Sequence, residues 1–100
     1  MNQWHVGLAL LLVEDNAVNR KVAMGLLARL GCDIIWAESG HDALAMAQTQ
    51  QVHLIFMDIQ LPDMDGLTVT RRLREQGGWL ASVPIVVWMI TSPSHCRSRH

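Results

Sequence analysis

Three acids in this 100-residue chain stand where they can do chemistry together: Glu14, Asp15 and Asp58. Glu14 and Asp15 follow directly on the apolar run Leu8–Val13. Asp58 closes a second apolar run, Leu54–Met57. If those runs are neighbouring strands, the three carboxylates converge on one edge of a sheet. Two carboxylates about 4 Å apart repel by about 4 kcal/mol at an effective dielectric of 20. Three together raise one another's pKa or recruit a cation. A hard, oxygen-preferring ion such as Mg²⁺ suits that set and would keep several of its waters. A carboxylate beside such an ion can attack phosphorus and form an aspartyl-phosphate. The ion offsets the repulsion between two anions. Asp58 is the better nucleophile candidate, because Glu14 and Asp15 are adjacent and can share the metal. A lone acid after a strand is ordinary loop chemistry; two strand ends meeting at one edge are what lift these three above it.

The elements that must position them follow from the pattern of apolar residues. Leu8–Val13 is continuous rather than alternating, as a strand covered on both faces should be. Val18, Val22, Leu26 and Leu30 recur every fourth residue, with Ala23 and Leu27 beside them, and predict one buried helical face. Asn16 or Asp15 can cap that helix, and Gly31 suits a left-handed residue at its end. Residues 34–37 read as a second strand. Ser39 then caps a second helix, with Asp42 three residues on and Ala43, Leu44 and Ala47 facing inward. After the third strand, Pro62 and Asp63–Gly66 make a turn into a third helix, with Val69 and Leu73 inside and Arg71, Arg72, Arg74 and Glu75 outside. Gly77-Gly78 stops it, and Pro84–Ile90 is a fourth strand. The order is β-α-β-α-β-α-β. Such crossovers demand a parallel sheet with helices on its faces. Ligands of such sheets bind beyond the carboxyl ends of the strands, where the three acids lie.

Composition narrows the rest. The chain is 50% apolar with a formal net charge of −1, which fits one globular domain. Residues 1–90 hold 6 basic and 9 acidic residues, so there is no basic stripe for nucleic acid. Cys32 and Cys96 lack metal-like spacing, and the five histidines form no ligand pair. A reduced, cytoplasmic chain is the expectation. No apolar run approaches the roughly 18 residues of a membrane span. Val6–Val13 lacks the basic flank and cleavage site of a signal peptide.

Leu11-Leu12-Val13-Glu14-Asp15-Asn16 and Met57-Asp58-Ile59-Gln60-Leu61-Pro62-Asp63-Met64-Asp65-Gly66 strongly resemble the response-regulator receiver domain. The resemblance extends from residue 8 to about 88. It takes in Gly31, Ser39-Gly40 and Pro84-Ile85-Val86-Val87. It implies a flavodoxin-like, doubly wound parallel sheet in the order 2-1-3-4-5. It implies that Asp58 accepts a phosphoryl group from a phosphohistidine on a histidine kinase or histidine phosphotransfer protein. Glu14, Asp15, Asp58 and the backbone carbonyl of Gln60 would then hold Mg²⁺, and Pro62 and Gly66 would shape the loop beyond. The added charge, about −1.5 to −2, would bias a surface that a partner reads. The run Glu14–Asn19 is most similar to receivers of hybrid sensor kinases. The resemblance implies a phosphoacceptor rather than an enzyme, acting in a two-component phosphorelay; the charge pattern and the short apolar runs add the expectation of no direct nucleic-acid and no membrane contact.

The chain departs from that pattern after strand four. The hydroxyl residue expected five positions after Pro84 is Met89; Thr91 lies on the same strand face but about 6–7 Å further along, as a displaced candidate. The expected clamp lysine has no counterpart, since the one lysine, Lys21, falls on the first helix. A fifth strand and last helix are absent from the pattern. We therefore expect an incomplete receiver-like domain at residues 1–92 and a tail at 93–100 whose composition resembles a frameshifted or foreign end. The last strand would then be a bare apolar edge that invites homodimerisation, and one sheet face near strands one and three would lie uncovered. The alternative is a receiver-like fragment that no longer switches, an interaction or structural module or a non-functional truncation product. Asp63-Met64-Asp65-Gly66 also resembles the start of a haloacid-dehalogenase-like phosphatase, but no strand runs into Asp63. Turn formation and helix capping explain Asp63 and Asp65.

Overall fold

The structure, a computed structural model, describes residues 8–88. Four strands, β1 (Ala9–Val13), β2 (Asp33–Ala37), β3 (Leu54–Asp58) and β4 (Ile85–Trp88), alternate with three helices, α1 (Ala17–Ala28), α2 (Gly40–Thr49) and α3 (Gly66–Gln76). A short 3₁₀ turn, Gly78–Ala81, precedes β4. The sheet is parallel in the order β2-β1-β3-β4. β1 lies between β2 and β3 with helices over both faces, and Leu10, Leu11, Leu12 and Val13 are all buried. Leu11, Val13, Ile55 and Met57 point to one side, with Ala43, Ala47, Val69 and Leu73 of α2 and α3. Leu10 and Leu12 point to the other, over Ala23 of α1, with Met24, Leu27, Ile34, Leu54, Phe56 and Trp88 around them. The face expected to lie uncovered is therefore closed over β1 and half-buried at Leu54 and Phe56.

Ser39 caps α2 as expected, and of the two candidates for α1 it is Asn16 that caps. Asn16 Oδ1 accepts the Asn19 N–H at 3.0 Å, and Ser39 Oγ accepts the Asp42 N–H at 3.1 Å. Each satisfies a donor that a helix start leaves without an internal partner. Gly31, at φ 85°, turns the chain from α1 toward β2.

Two expectations fail. The fourfold stripe of α1 faces outward: Val18 is 69% exposed, Val22 55% and Leu26 61%, and Leu30 lies past the helix end. A spacing of four drifts by about 40° per step on a helix of 3.6 residues per turn. The face that packs is Ala23, Met24 and Leu27, spaced three and four, where the small Ala23 lets the helix approach the sheet. Arg74, placed outside from its charge, is half-buried. Its Nη1 donates to the Leu80 carbonyl at 3.1 Å and to the Val83 carbonyl at 2.7 Å, which ties α3 to the approach to β4.

Gly66 starts α3 against the end of β3. A Cβ there would lie 2.2 Å from the Asp58 carbonyl oxygen and 2.9 Å from Ile59 Cα. The Gly66 N–H donates to the Ile59 carbonyl at 2.8 Å, so helix and strand end meet backbone to backbone. Gly66→Ala is expected to destabilise the fold by about 1–3 kcal/mol, the usual cost of overpacking. Gly25→Ala, on α1 with nothing within 4 Å, is expected to stabilise it by about 0.5–1 kcal/mol. Urea unfolding of both variants measures this, and an equal, small effect at the two sites would contradict the close approach.

Candidate metal and phosphoacceptor site

Pairing of β1 with β3 sets Val13 opposite Met57, so Glu14 and Asp58 leave the sheet side by side. One carboxylate oxygen from each of Glu14, Asp15 and Asp58 lies within 4.8 Å of the others. Glu14 and Asp58 are buried, at 1% and 7% exposure, and Asp15 is exposed. The cluster thus has two walls and an open mouth. Glu14 Oε2 accepts the Asn16 N–H at 3.1 Å, while Oε1 is buried and accepts no hydrogen bond. Asp58 Oδ1 accepts the Gln60 N–H at 3.1 Å. Burial is the main cause that lifts the Glu14 carboxyl from 4.5 to about 7; the Asn16 N–H opposes it, and the Asp58 and Asp15 charges add to it.

This arrangement fits a hard cation. The donors are all oxygen, they are anionic, and the buried Glu14 Oε1 has no hydrogen-bond partner. The sequence-predicted acids Glu14, Asp15 and Asp58 are brought together. Gln60 is adjacent, at the isolated bridge to Asp65 that shapes the following loop. Thr91 and the tail at 93–100 lie outside the described residues. Lys21 is on α1 and exposed.

The loop after Asp58 is anchored by a contact the sequence hides. Asp63 reaches the start of α2: its Oδ1 accepts the Gly40 N–H at 2.8 Å, its Oδ2 accepts the His41 N–H at 2.9 Å, and it also meets the His41 ring. Burial pushes its carboxyl up, but these donors outweigh burial and hold it down at about 2. Asp65 caps α3 by accepting the Thr68 N–H at 2.7 Å, which lowers its carboxyl too. Both acids do have the turn and cap roles expected of them, though Asp63 caps the helix before it rather than the one after. A separation of more than twenty residues leaves no local signal for that. A second missed residue is Arg20 of α1. Its Nη1 donates to the Glu14 carbonyl at 3.1 Å, and its guanidinium lies 4.1 Å from the centre of the Trp36 ring.

The family model for the response regulator receiver domain matches residues 10–99, running through the stretch set apart above as a tail. Histidine kinase 3 of Arabidopsis thaliana is 44% identical over 71 residues, which are 70% of this chain and 7% of that protein. The chain thus spans a small fraction of the curated relative's length. The receiver domain of a sensor histidine kinase from Pseudomonas aeruginosa, solved with a magnesium ion in its active-site cleft, is 35% identical, with a TM-score of 0.78 over 94% of this chain and 75% of that one. A chemotaxis response regulator of Vibrio cholerae shares the fold at 24% identity, with a TM-score of 0.78 over 91% of this chain and 75% of that one. The chain belongs to the response regulator receiver domain family, phosphoacceptor modules of two-component signalling rather than enzymes in the classical sense. No helix among the described residues is long and apolar enough to cross a membrane.

The raised Glu14 carboxyl has a sign that can be measured without metal. Between about 4.5 and 7 the unfolded chain loses this proton and the folded chain keeps it. Stability should therefore fall as pH rises through that window, and the penalty should be complete above about 7. In EDTA, Glu14→Gln is expected to raise the melting temperature at pH 7.5 and to flatten the fall between pH 5 and 7. A variant less stable than the parent at pH 7.5 would contradict the cost of keeping a charged Glu14 buried.

Proposed function

We propose that Asp58 accepts a phosphoryl group from a phosphohistidine of a partner histidine kinase or histidine phosphotransfer protein. Mg²⁺ would be held by Glu14, Asp15, Asp58 and the backbone carbonyl of Gln60. The reading rests above all on one observation: three carboxylates share a 4.8 Å site in which a buried Glu14 oxygen has no hydrogen-bond partner. The magnesium-bearing Pseudomonas aeruginosa receiver supports it.

In the transfer, an Asp58 carboxylate oxygen forms a bond to phosphorus as the phosphorus–nitrogen bond of the donor breaks. The imidazole leaves with the electron pair and ends as neutral histidine once protonated. The bound ion would supply charge neutralisation for the transferring group. The chain's own residues do the rest. The Gln60 N–H fixes one Asp58 oxygen. Burial at 7% exposure limits water at Asp58, and the exposed Asp15 side leaves an approach for the donor. Gly66 lets α3 start against the Asp58 carbonyl, and Asp63 anchors the intervening loop on α2. A rise in negative charge at Asp58 would act on that loop first.

Self-association belongs to the same proposal. β4 is an edge strand among the described residues. The Pro84 and Trp88 carbonyls accept from Ile55 and Ile59 of the β3 side. By alternation, the N–H and C=O groups of Ile85 and Val87 face away from the sheet. A second copy pairing antiparallel would satisfy them, and β4 carries no charge to discourage it. Val86, 43% exposed, is the place to add one. Val86→Lys is expected to shift a concentration-dependent dimer toward monomer in analytical ultracentrifugation; a parent that sediments as monomer at every concentration would count against pairing.

Phosphorylation is tested with Mg²⁺ and acetyl phosphate, read by intact mass. The expected result is one phosphoryl group, lost on Asp58→Asn and on chelation of Mg²⁺. No gain by the parent chain, or a gain that survives Asp58→Asn, would overturn the proposal.

A further inference from the structure

We propose that Arg20, seated on Trp36, is a positioning residue for the metal site: it holds the Glu14–Asp15 peptide so that both carboxylates point at the cation. The inference rests on the reading of the acidic cluster as a Mg²⁺ site.

The polar groups of Glu14 are nearly all committed. Its N–H donates to the Ala37 carbonyl at 3.0 Å, which extends the β1–β2 ladder by one residue. Its Oε2 accepts the Asn16 N–H. Its carbonyl lies beyond the end of β1, where no strand supplies a donor, and a buried carbonyl left alone is costly. Arg20 Nη1 fills that place at 3.1 Å. The bond is charge-assisted and stronger than an amide could offer.

Arg20 is itself held twice. Its backbone N–H donates to the Asn16 carbonyl at 2.9 Å in the first turn of α1. Its guanidinium lies on the Trp36 ring, an attraction worth about 0.5–1 kcal/mol at an exposed site. Trp36 precedes Ala37, the residue that accepts from Glu14. The contacts therefore close a circuit: Ala37 to Glu14, Glu14 to Arg20, Arg20 to Trp36, and Trp36 back to Ala37 along the chain. The peptide in the middle carries Glu14 on one side and Asp15 on the other. This also gives a reason for a tryptophan standing 39% exposed on β2.

The sign of the effect separates positioning from plain electrostatics. A cation beside the site repels Mg²⁺, so removing it should tighten metal binding if charge alone matters. If Arg20 positions the ligands, removing it should weaken binding despite the lost repulsion. Changes in groups that orient metal ligands typically cost 10–100-fold in affinity. A bond to a backbone carbonyl at a partly exposed site belongs at the lower end of that range.

Isothermal titration of the full chain with MgCl₂ tests this, with far-UV circular dichroism to confirm folding. Arg20→Ala is expected to bind about 10-fold more weakly. Trp36→Leu keeps the charge and removes its seat, so it should also weaken binding, and Trp36→Phe should recover part of the loss. Arg20→Lys keeps the charge without the planar fork and should remain weaker than the parent. Equal or tighter binding by both Arg20→Ala and Trp36→Leu overturns the clamp, as does a drop in melting temperature with unchanged affinity. If the parent chain does not bind Mg²⁺ at all, the metal reading fails and the clamp fails with it. If the parent binds and the variants match it, only the clamp fails.

Discussion

The burial of two acids in a cluster of three carboxylates is the constraint on which the rest of this structure turns. A parallel sheet with β1 between β2 and β3 sends every strand end to the same edge. Glu14, Asp15 and Asp58 arrive there together. Folding thus gathers like charges at a place where two of the three are nearly dry. Glu14 keeps one buried oxygen without a hydrogen bond, and its carboxyl is pushed up to about 7. Hydrophobic burial along Leu10–Val13 and Ile55–Met57 has to outweigh that unfavourable term. A divalent cation bound there would offset that unfavourable term.

The surroundings of the cluster limit how it can relax. Gly66 brings α3 within backbone contact of Asp58 and Ile59. Asp63 fastens the loop between them to the N-terminus of α2, where the N–H groups of Gly40 and His41 are free to be capped. On the other side, Arg20 and Trp36 hold the peptide that follows Glu14. The site is a set of acids on short loops, each loop pinned to a different element. A change of charge at Asp58 would therefore be felt by α2 and α3 before any remote surface.

Much of this was legible in the sequence, for identifiable reasons. Short apolar runs ending in acids gave the strands and their common edge, because a strand buried on both faces has no alternation to confuse its reading. Ser39 could be placed as a cap, and Asn16 as one of two candidates, because capping is local. What was hidden depends on contacts between distant residues. The outward stripe of α1 could not be told from an inward one by period alone, since Val18, Val22 and Leu26 are as apolar as Ala23, Met24 and Leu27; only the closer packing of Ala23 on the sheet decides. The hydrogen bonds of Asp63 to Gly40 and of Arg74 to Val83, like the seat of Arg20 on Trp36, need the fold to exist first.

Mg²⁺ bound by Glu14, Asp15 and Asp58 would displace the proton that burial keeps on Glu14 up to about pH 7. Calorimetric titration of the parent chain with MgCl₂ at pH 6 and pH 8, each in two buffers of different ionisation enthalpy, measures that exchange directly. The expected result is tighter binding at pH 8, with proton release on binding at pH 6 that largely disappears at pH 8. Equal affinity at the two pH values with no proton released at either would contradict the claim.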